Sequence, residues 1–199
     1  MNLTPDHMLE ALTRVDKHWL LWLNGHNSPF FDWLMYAASG RFEWIPLYLI
    51  ILALIVRRFS WKSVWVILAA VIMITLSDQI ANILKAEVRR PRPCKDPEIG
   101  YLVHLVNQYC SGAYGFVSGH ATNSWAFATL ISLIFRNKWL TAGMICWATL
   151  VSYSRIYLGA HYPGDVMSGA MIGIMLAWIV YAVLNHFVKG INPSFSRSA

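Results

Sequence analysis

Three short groups of residues in this sequence are of the types that handle phosphate. Lys85 is followed by Arg92-Pro93, then comes Ser118-Gly119-His120, then Ser154-Arg155 with His161 and Asp165 downstream. Lys85, Arg92 and Arg155 are three cations without an equal supply of neighbouring acids. The planar fork of arginine matches two phosphate oxygens at once, and lysine adds a compact charge. Ser118 and Gly119 stand where an apolar helix is expected to begin, and the free N–H groups of a helix N-terminus attract anions. The ligand these groups suit is a phosphate.

Two imidazoles accompany the cations. His161 and Asp165 are four residues apart, so on a helical first turn the carboxylate is expected to accept a hydrogen bond from the ring. That would fix the tautomer and leave the other nitrogen free to attack phosphorus. His120 could then protonate the leaving oxygen and later deprotonate water. This is phosphoryl transfer through a phosphohistidine, and it needs no cofactor. A zinc centre would call for three or four His, Cys or carboxylate ligands, a set that the surrounding cations oppose. No metal is expected.

These groups must be positioned, and the composition says by what. The chain has 199 residues, 57% of them hydrophobic, only 13% charged, with ten tryptophans. Such a chain has too little polar surface to cover itself in water, and several of its apolar runs approach the ~20 residues a membrane helix needs. Nucleic acid is not an expected partner despite the net charge of +6, because the basic residues sit in loops rather than in a stripe. The expected fold is all-α, a polytopic bundle of five or six transmembrane helices preceded by an interfacial helix. Its domains are residues 1–28, amphipathic; 29–188, the membrane body, with the motifs in 85–165 and an outward loop at 86–117; and 189–199, a polar tail.

Spans are expected over residues 61–84, from 117 to the Arg136-Asn137-Lys138 turn, over 139–153 and over 163–185. Pro163 suits the first turn of the last one. Residues 30–39 and 44–56 form either one kinked span or two pieces, with Gly40-Arg41-Phe42-Glu43 between them. Alternating helix directions bring Lys85, Arg92, His120, Arg155, His161 and Asp165 to one membrane face. The opposite loops carry Arg57, Arg58, Lys62, Arg136, Lys138 and Lys189 without an acid, and the positive-inside rule turns that side to the cytoplasm. The N-terminus lacks a basic region followed by an apolar core, so a span rather than a cleaved leader is expected to direct insertion.

At these residues the sequence resembles the type 2 phosphatidic acid phosphatase superfamily. That family's signature is Lys, six residues, Arg-Pro; then Pro-Ser-Gly-His; then Ser-Arg, five residues, His, three residues, Asp. Lys85 with Arg92-Pro93, Ser118-Gly119-His120, and Ser154-Arg155 with His161 and Asp165 match it, and Val117 replaces the signature's second-part proline. The resemblance implies His161 as nucleophile, Asp165 as its partner and His120 as general acid. It implies that Lys85, Arg92, Arg155, Ser118 and the Gly119 backbone hold the phosphate. It also implies a membrane lipid phosphate or pyrophosphate as substrate (phosphatidylglycerophosphate, undecaprenyl pyrophosphate, phosphatidic acid or lipid A), cleaved at the periplasmic face of a bacterial inner membrane.

A lipid phosphotransferase and a non-catalytic phospholipid-binding or transport protein are the alternatives. A vanadium haloperoxidase uses a similar residue set but is soluble. In an oxidising compartment, Cys94 and Cys110 are placed to close a disulfide beside Arg92. Cys146 reads as a packing residue. His26, His104 and His186 read as structural or solvated groups, and Asp78, seven residues before Lys85, either faces the site and orients a cation or makes a polar contact between helices.

Overall fold

The computed structural model describes residues 5–40, 42–110, 112–188 and 191. Seven α-helices carry the described chain: α1 Pro5–Gly25, α2 Pro29–Ala38, α3 Ile45–Phe59, α4 Ser63–Val88, α5 Gly119–Phe135, α6 Lys138–Tyr157 and α7 Pro163–Phe187. Among the described residues there is no strand, only an isolated bridge between Pro91 and Tyr114. The tail expected from residue 189, the first residues of the N-terminal segment and Arg41 fall outside the description, apart from Ile191.

Helix ends follow local chemistry. Ser28 caps α2 by accepting the Phe31 N–H, and Pro29 occupies the first turn, where a missing donor costs nothing. Asn137 caps α6 through the Trp139 and Leu140 N–H groups. Residues 30–56 are two helices, not one kinked span: α2 stops at Ala38, and Trp44 ties the break by donating its indole N–H to the Ala38 carbonyl. α4 runs one turn further than expected, to Val88, where Arg89 takes a left-handed conformation and ends it.

α5 lies at the centre, packed against α4, α6 and α7. Its contact with α7 is unusually close. A Cβ placed on Gly173 would come 2.2 Å from the Thr122 carbonyl, and one on Gly169 would come 2.7 Å from the Ser118 carbonyl. Small residues allow two helix backbones to approach this way. The main core joins Met73, Leu130, Ile131, Ile134, Met144 and Ala177, with Ile51 and Ile55 of α3 added at the side. A second cluster, at the end that carries the motifs, joins Leu20 of α1 to Ile99, Ile156, Tyr162 and Val166.

The outer surface is apolar. On α7, Met167, Met171, Met175, Ile179 and Val183 are all exposed at four-residue spacing, one continuous stripe turned away from the bundle. Two stretches, Ile45–Val88 (α3 with α4) and Pro163–Phe187, are long and apolar enough to cross a membrane. The remaining helices are shorter, as α2 and α5 are, or more polar, as α6 is with Ser152, Ser154 and Arg155; the polar groups of α5 are Thr122, Asn123 and Ser124. Those groups bond inward: Thr122 and Ser154 donate to carbonyls one turn back, and Ser152 accepts the Trp125 indole N–H.

α1 buries Leu20 against the protein and exposes Glu10 and Arg14, yet much of its apolar surface also faces out. Met8, Leu9, Leu12, Trp19 and Trp22 point outward, while Asp16, Lys17 and Asn24 meet the protein. Buried Asn24 donates to the Tyr157 and His104 carbonyls at 2.6 and 3.0 Å and accepts the His104 N–H at 2.7 Å. One side chain thus pins the 89–118 loop and the end of α6 to the first helix.

Candidate active site

The motifs meet at the end of the bundle where α4 stops, α5 starts, and α6 turns into α7. Beyond Arg89 the chain folds back as a loop, with the Arg92 N–H donating to the Ala113 carbonyl and the Gly115 N–H to the Arg90 carbonyl. A Cys94–Cys110 disulfide closes the loop, and the Cys94 N–H donates to the Gly159 carbonyl. These bonds hold Arg92 in place. Its Nη1 donates to the Ala160 carbonyl and lies 3.2 Å from His161 Nε2.

Arg155 is buried in the last turn of α6, where Nη1 donates to the Ser39 hydroxyl and Nη2 to the Tyr109 hydroxyl at 3.3 Å. Its guanidinium also lies over the Tyr109 ring, 5.4 Å from the centroid. Lys85 reaches the start of α5, since a Cβ on Gly119 would stand 3.4 Å from its Nζ. Ser118 is wholly buried, its hydroxyl accepts the Ala121 N–H as the α5 cap, and its own N–H donates to the Asp165 carbonyl. His120 sits on the first turn of α5.

His161 lies just before α7, not on its first turn. The helix begins at Pro163, with Tyr162 as cap. Its Nδ1 is 3.6 Å from Asp165 Oδ2, beyond hydrogen-bond length. The reason is that Asp165 is already engaged: Oδ2 accepts the Tyr162 N–H at 3.1 Å, and Oδ1 accepts from Arg90 at 2.8 Å. Because arginine can only donate, Nε2 of His161 is the acceptor toward Arg92, which puts the ring proton on Nδ1, facing Asp165. Burial first, then the charges of Arg92, Arg155 and Lys85, hold the His161 pKa well below the usual imidazole value. Both effects favour the neutral form of the ring.

The motifs did not announce the network behind this pair. Arg90 bonds Asp165 on one side and Asp16 of α1 on the other, at 2.7 Å, and its guanidinium stacks 4.0 Å above the Tyr162 ring. Asp16 also accepts the Gly164 N–H at 2.8 Å. Lys17, the next residue, pairs with Asp96 and Glu98, and Asp96 accepts the Tyr162 hydroxyl at 2.8 Å. Burial pushes the Asp96 carboxyl up, but the Lys17 and Tyr162 hydrogen bonds outweigh it and hold the group below its ordinary value.

A cavity of about 1170 Å³ opens from this end. Lys85, Arg92, Gly119, His120, Arg155 and His161 line its head, Asp78, Asn82 and Asn123 its middle, and Tyr48, Ile51, Phe127 and Trp147 its apolar depth. Of the residues read from the sequence, the three cations, both histidines and Gly119 share this space. Asp165 stands behind His161, and Ser118 is turned into the helix cap. Among the described residues, no cluster of three or more His, Cys, Asp or Glu side chains could hold a metal ion.

Comparison with known proteins matches the PAP2 superfamily profile to residues 65–189. The chain belongs to the PAP2 superfamily. The chain is similar to a lipid A 4'-phosphatase of Bacteroides thetaiotaomicron, 41% identical over 180 residues, covering 88% of this chain and 80% of the relative. A second protein of that description, from Porphyromonas gingivalis, is 33% identical over 88% of this chain and 75% of its own length. In fold the chain is similar to the transmembrane PAP2-type phosphatidylglycerolphosphate phosphatase of Bacillus subtilis, with a TM-score of 0.70 at 22% identity over 90% of this chain and 89% of the other. With relatives of this kind and its two long apolar stretches, this PAP2 protein has a membrane location. The profile contains every motif residue from Lys85 to Asp165 but begins after α1, so Asp16 and Lys17 lie outside it.

Proposed function

We propose that this protein is a membrane lipid phosphatase whose reaction runs through a phosphohistidine on His161, with the 4'-phosphate of lipid A as first candidate substrate. The observation that carries the reading is the convergence of Lys85, Arg92, Arg155, His120 and His161 on the head of one cavity whose depth is apolar. The 41% identity to a lipid A 4'-phosphatase over most of both chains supports the substrate.

In this reading the phosphate settles among Lys85, Arg92 and Arg155 and takes over the Arg92 contact now made by Nε2. Nε2 attacks phosphorus, the P–O bond to the lipid breaks, and His120 gives its proton to the leaving oxygen. Asp165 steadies the Nδ1–H as the ring gains charge. Water then attacks the phosphohistidine, His120 takes its proton, and inorganic phosphate leaves. The three cations balance the charge that would otherwise fall to a metal, so the reaction is metal-independent. EDTA should leave it unchanged.

The same reading places a multi-pass bundle of five or six spans in a bacterial inner membrane, with the site facing the periplasm and α1 lying in the interface. Arg57, Arg58 and Lys62 between α3 and α4, and Arg136 and Lys138 between α5 and α6, support this orientation from the opposite end. The outward apolar side of α1 supports the interfacial position. The test is phosphate release by detergent-purified protein over lipid A, phosphatidylglycerophosphate, undecaprenyl pyrophosphate and phosphatidic acid, with His161→Ala alongside. Release of phosphate from lipid A, lost in the mutant, supports the reading. Release that survives in His161→Ala overturns the nucleophile, and phosphate moved to a lipid acceptor instead of water makes the protein a transferase.

A further inference from the structure

Midway down the cavity, between the phosphate-facing cations and the apolar walls, lies a group of uncharged amides around one carboxylate. Asp78 stands seven residues before Lys85 on α4, about 10 Å along the helix axis, and Asn123 stands three after His120 on α5, about 4.5 Å. The Asn123 amide donates to Asp78 Oδ1 at 2.8 Å. Gln79 and Asn82 border the same space. A carboxylate in an otherwise apolar membrane segment is expensive and calls for a use.

Bracing α4 against α5 is the plain structural use, and two observations go beyond it. Asp78 and Asn82 are exposed to the cavity rather than sealed between the helices. The side-chain carbonyl of Asn123 is buried with no donor. Groups this deep in a site need hydrogen-bonding partners, and the partner they ask for is a donor. Asp78 and the Asn123 carbonyl accept only, while the Asn82 and Gln79 amides work in both directions. A sugar ring carrying hydroxyl and amide N–H groups meets that demand. The diacylglycerol body of phosphatidic acid offers ester carbonyls but no donor, and a prenyl chain offers neither. The Asp78 charge also repels a second phosphate at this depth.

Resting on the phosphatase reading above, we propose that Asp78, Asn82 and Asn123 form a head-group subsite that takes a donor-bearing sugar ring directly below the phosphate. It selects phosphorylated glycolipids over glycerophospholipids and prenyl diphosphates.

The test compares wild type with Asp78→Asn, Asn123→Ala and Asn82→Ala on three substrates: an acylated glucosamine 4-phosphate, phosphatidic acid with the same chains, and p-nitrophenyl phosphate. Asp78→Asn and Asn123→Ala should lower kcat/KM for the sugar lipid about 10- to 100-fold, the loss expected when a buried polar contact goes unmet. Turnover of p-nitrophenyl phosphate should stay within about threefold, which also shows that the variants fold. Equal losses on all three substrates would overturn the subsite, because Asp78 would then be acting on the phosphate site. Unchanged sugar-lipid kinetics in all three variants would overturn it too. If wild type releases phosphate from none of the substrates, the phosphatase reading itself fails and takes the subsite with it.

Discussion

Replacing Arg90 with methionine should disable the site without touching a residue that meets the substrate. Arg90 is the charged partner of Asp165, whose side chain is wholly buried, and it carries Asp16 on its other edge. Methionine fills similar volume but leaves two carboxylates facing each other. Removing one member of a buried pair typically costs about 3–5 kcal/mol. Arg90 retains 20% exposure, so water reaches part of the gap and the lower end of that range, about 3 kcal/mol, applies. If the strain falls on the geometry of Asp165 and His161, that is roughly 100-fold in rate.

The assay is kcat and KM on p-nitrophenyl phosphate in detergent, with the thermal unfolding midpoint measured on the same samples. kcat should fall while KM holds, because the phosphate-facing cations are untouched. Arg90→Lys should recover part of the loss, since it restores the charge but neither the fork nor the stack on Tyr162. Asp16→Asn should cost less than Arg90→Met, and the double variant should be far from additive. An Arg90→Met protein with kcat within threefold of wild type and an unchanged midpoint would refute the reasoning.

Three further outcomes are expected. Because its folded pKa lies below the free value of about 6.5, His161 should stay neutral and active below that pH, so its acid limb in kcat/KM should lie on the acid side of 6.5. Its contribution to stability should be complete above that value and lost as pH falls, since the unfolded ring binds the proton first; unfolding midpoints from pH 7 to 5 check this. Gly115→Ala should lower kcat about tenfold or more with little change in KM, because the new methyl would sit 3.0 Å from Asp165 Oδ2 and 3.6 Å from His161 Nδ1, and steady-state kinetics would show it. Denatured protein should titrate one thiol without reductant and three with it, and reduction should cost about 3 kcal/mol of stability for a loop of this size; a thiol count of three before reduction would exclude the Cys94–Cys110 bond.

The part of the site proposed to bind phosphate was legible because its residues come in tight local groups at helix ends, where cations and histidines have little other use. Lys85, Arg92, His120, Arg155 and His161 needed only alternating helix directions to be brought together. The supporting groups were not legible, for a physical reason. Arg90 finds Asp165 across 75 residues, and Asp16 finds the Gly164 N–H across 148, so no local spacing encodes either pair. The periodicity of α1 showed an amphipathic helix but not what its polar residues meet. Asp16, Lys17 and Asn24 have their partners on the protein, in segments far along the chain. Tyr109 and Ser39, which share the Arg155 guanidinium, lie in an irregular loop and at a helix end, where neither residue type signals anything. Helix positions were read well wherever the apolar run was long. The break between α2 and α3 could not be decided, since Gly40 and the residues after it suit either a kink or a stop.

The clasp of Asp16 on Arg90 also sets an order of events during synthesis. The first helix emerges carrying an acid and a base whose partners do not yet exist, and Gly164 follows Asp16 by 148 residues. At roughly 5–20 residues per second, that is a wait of roughly 7–30 seconds. Until the last helix arrives, the carboxylate behind the reactive histidine is missing, and α1 has only part of its seat. On the proposed mechanism, a ribosome-bound chain is inert toward the lipids around it. The same mechanism has turnover wait for the last helix, which brings Asp165 to Arg90 and Gly164 to Asp16.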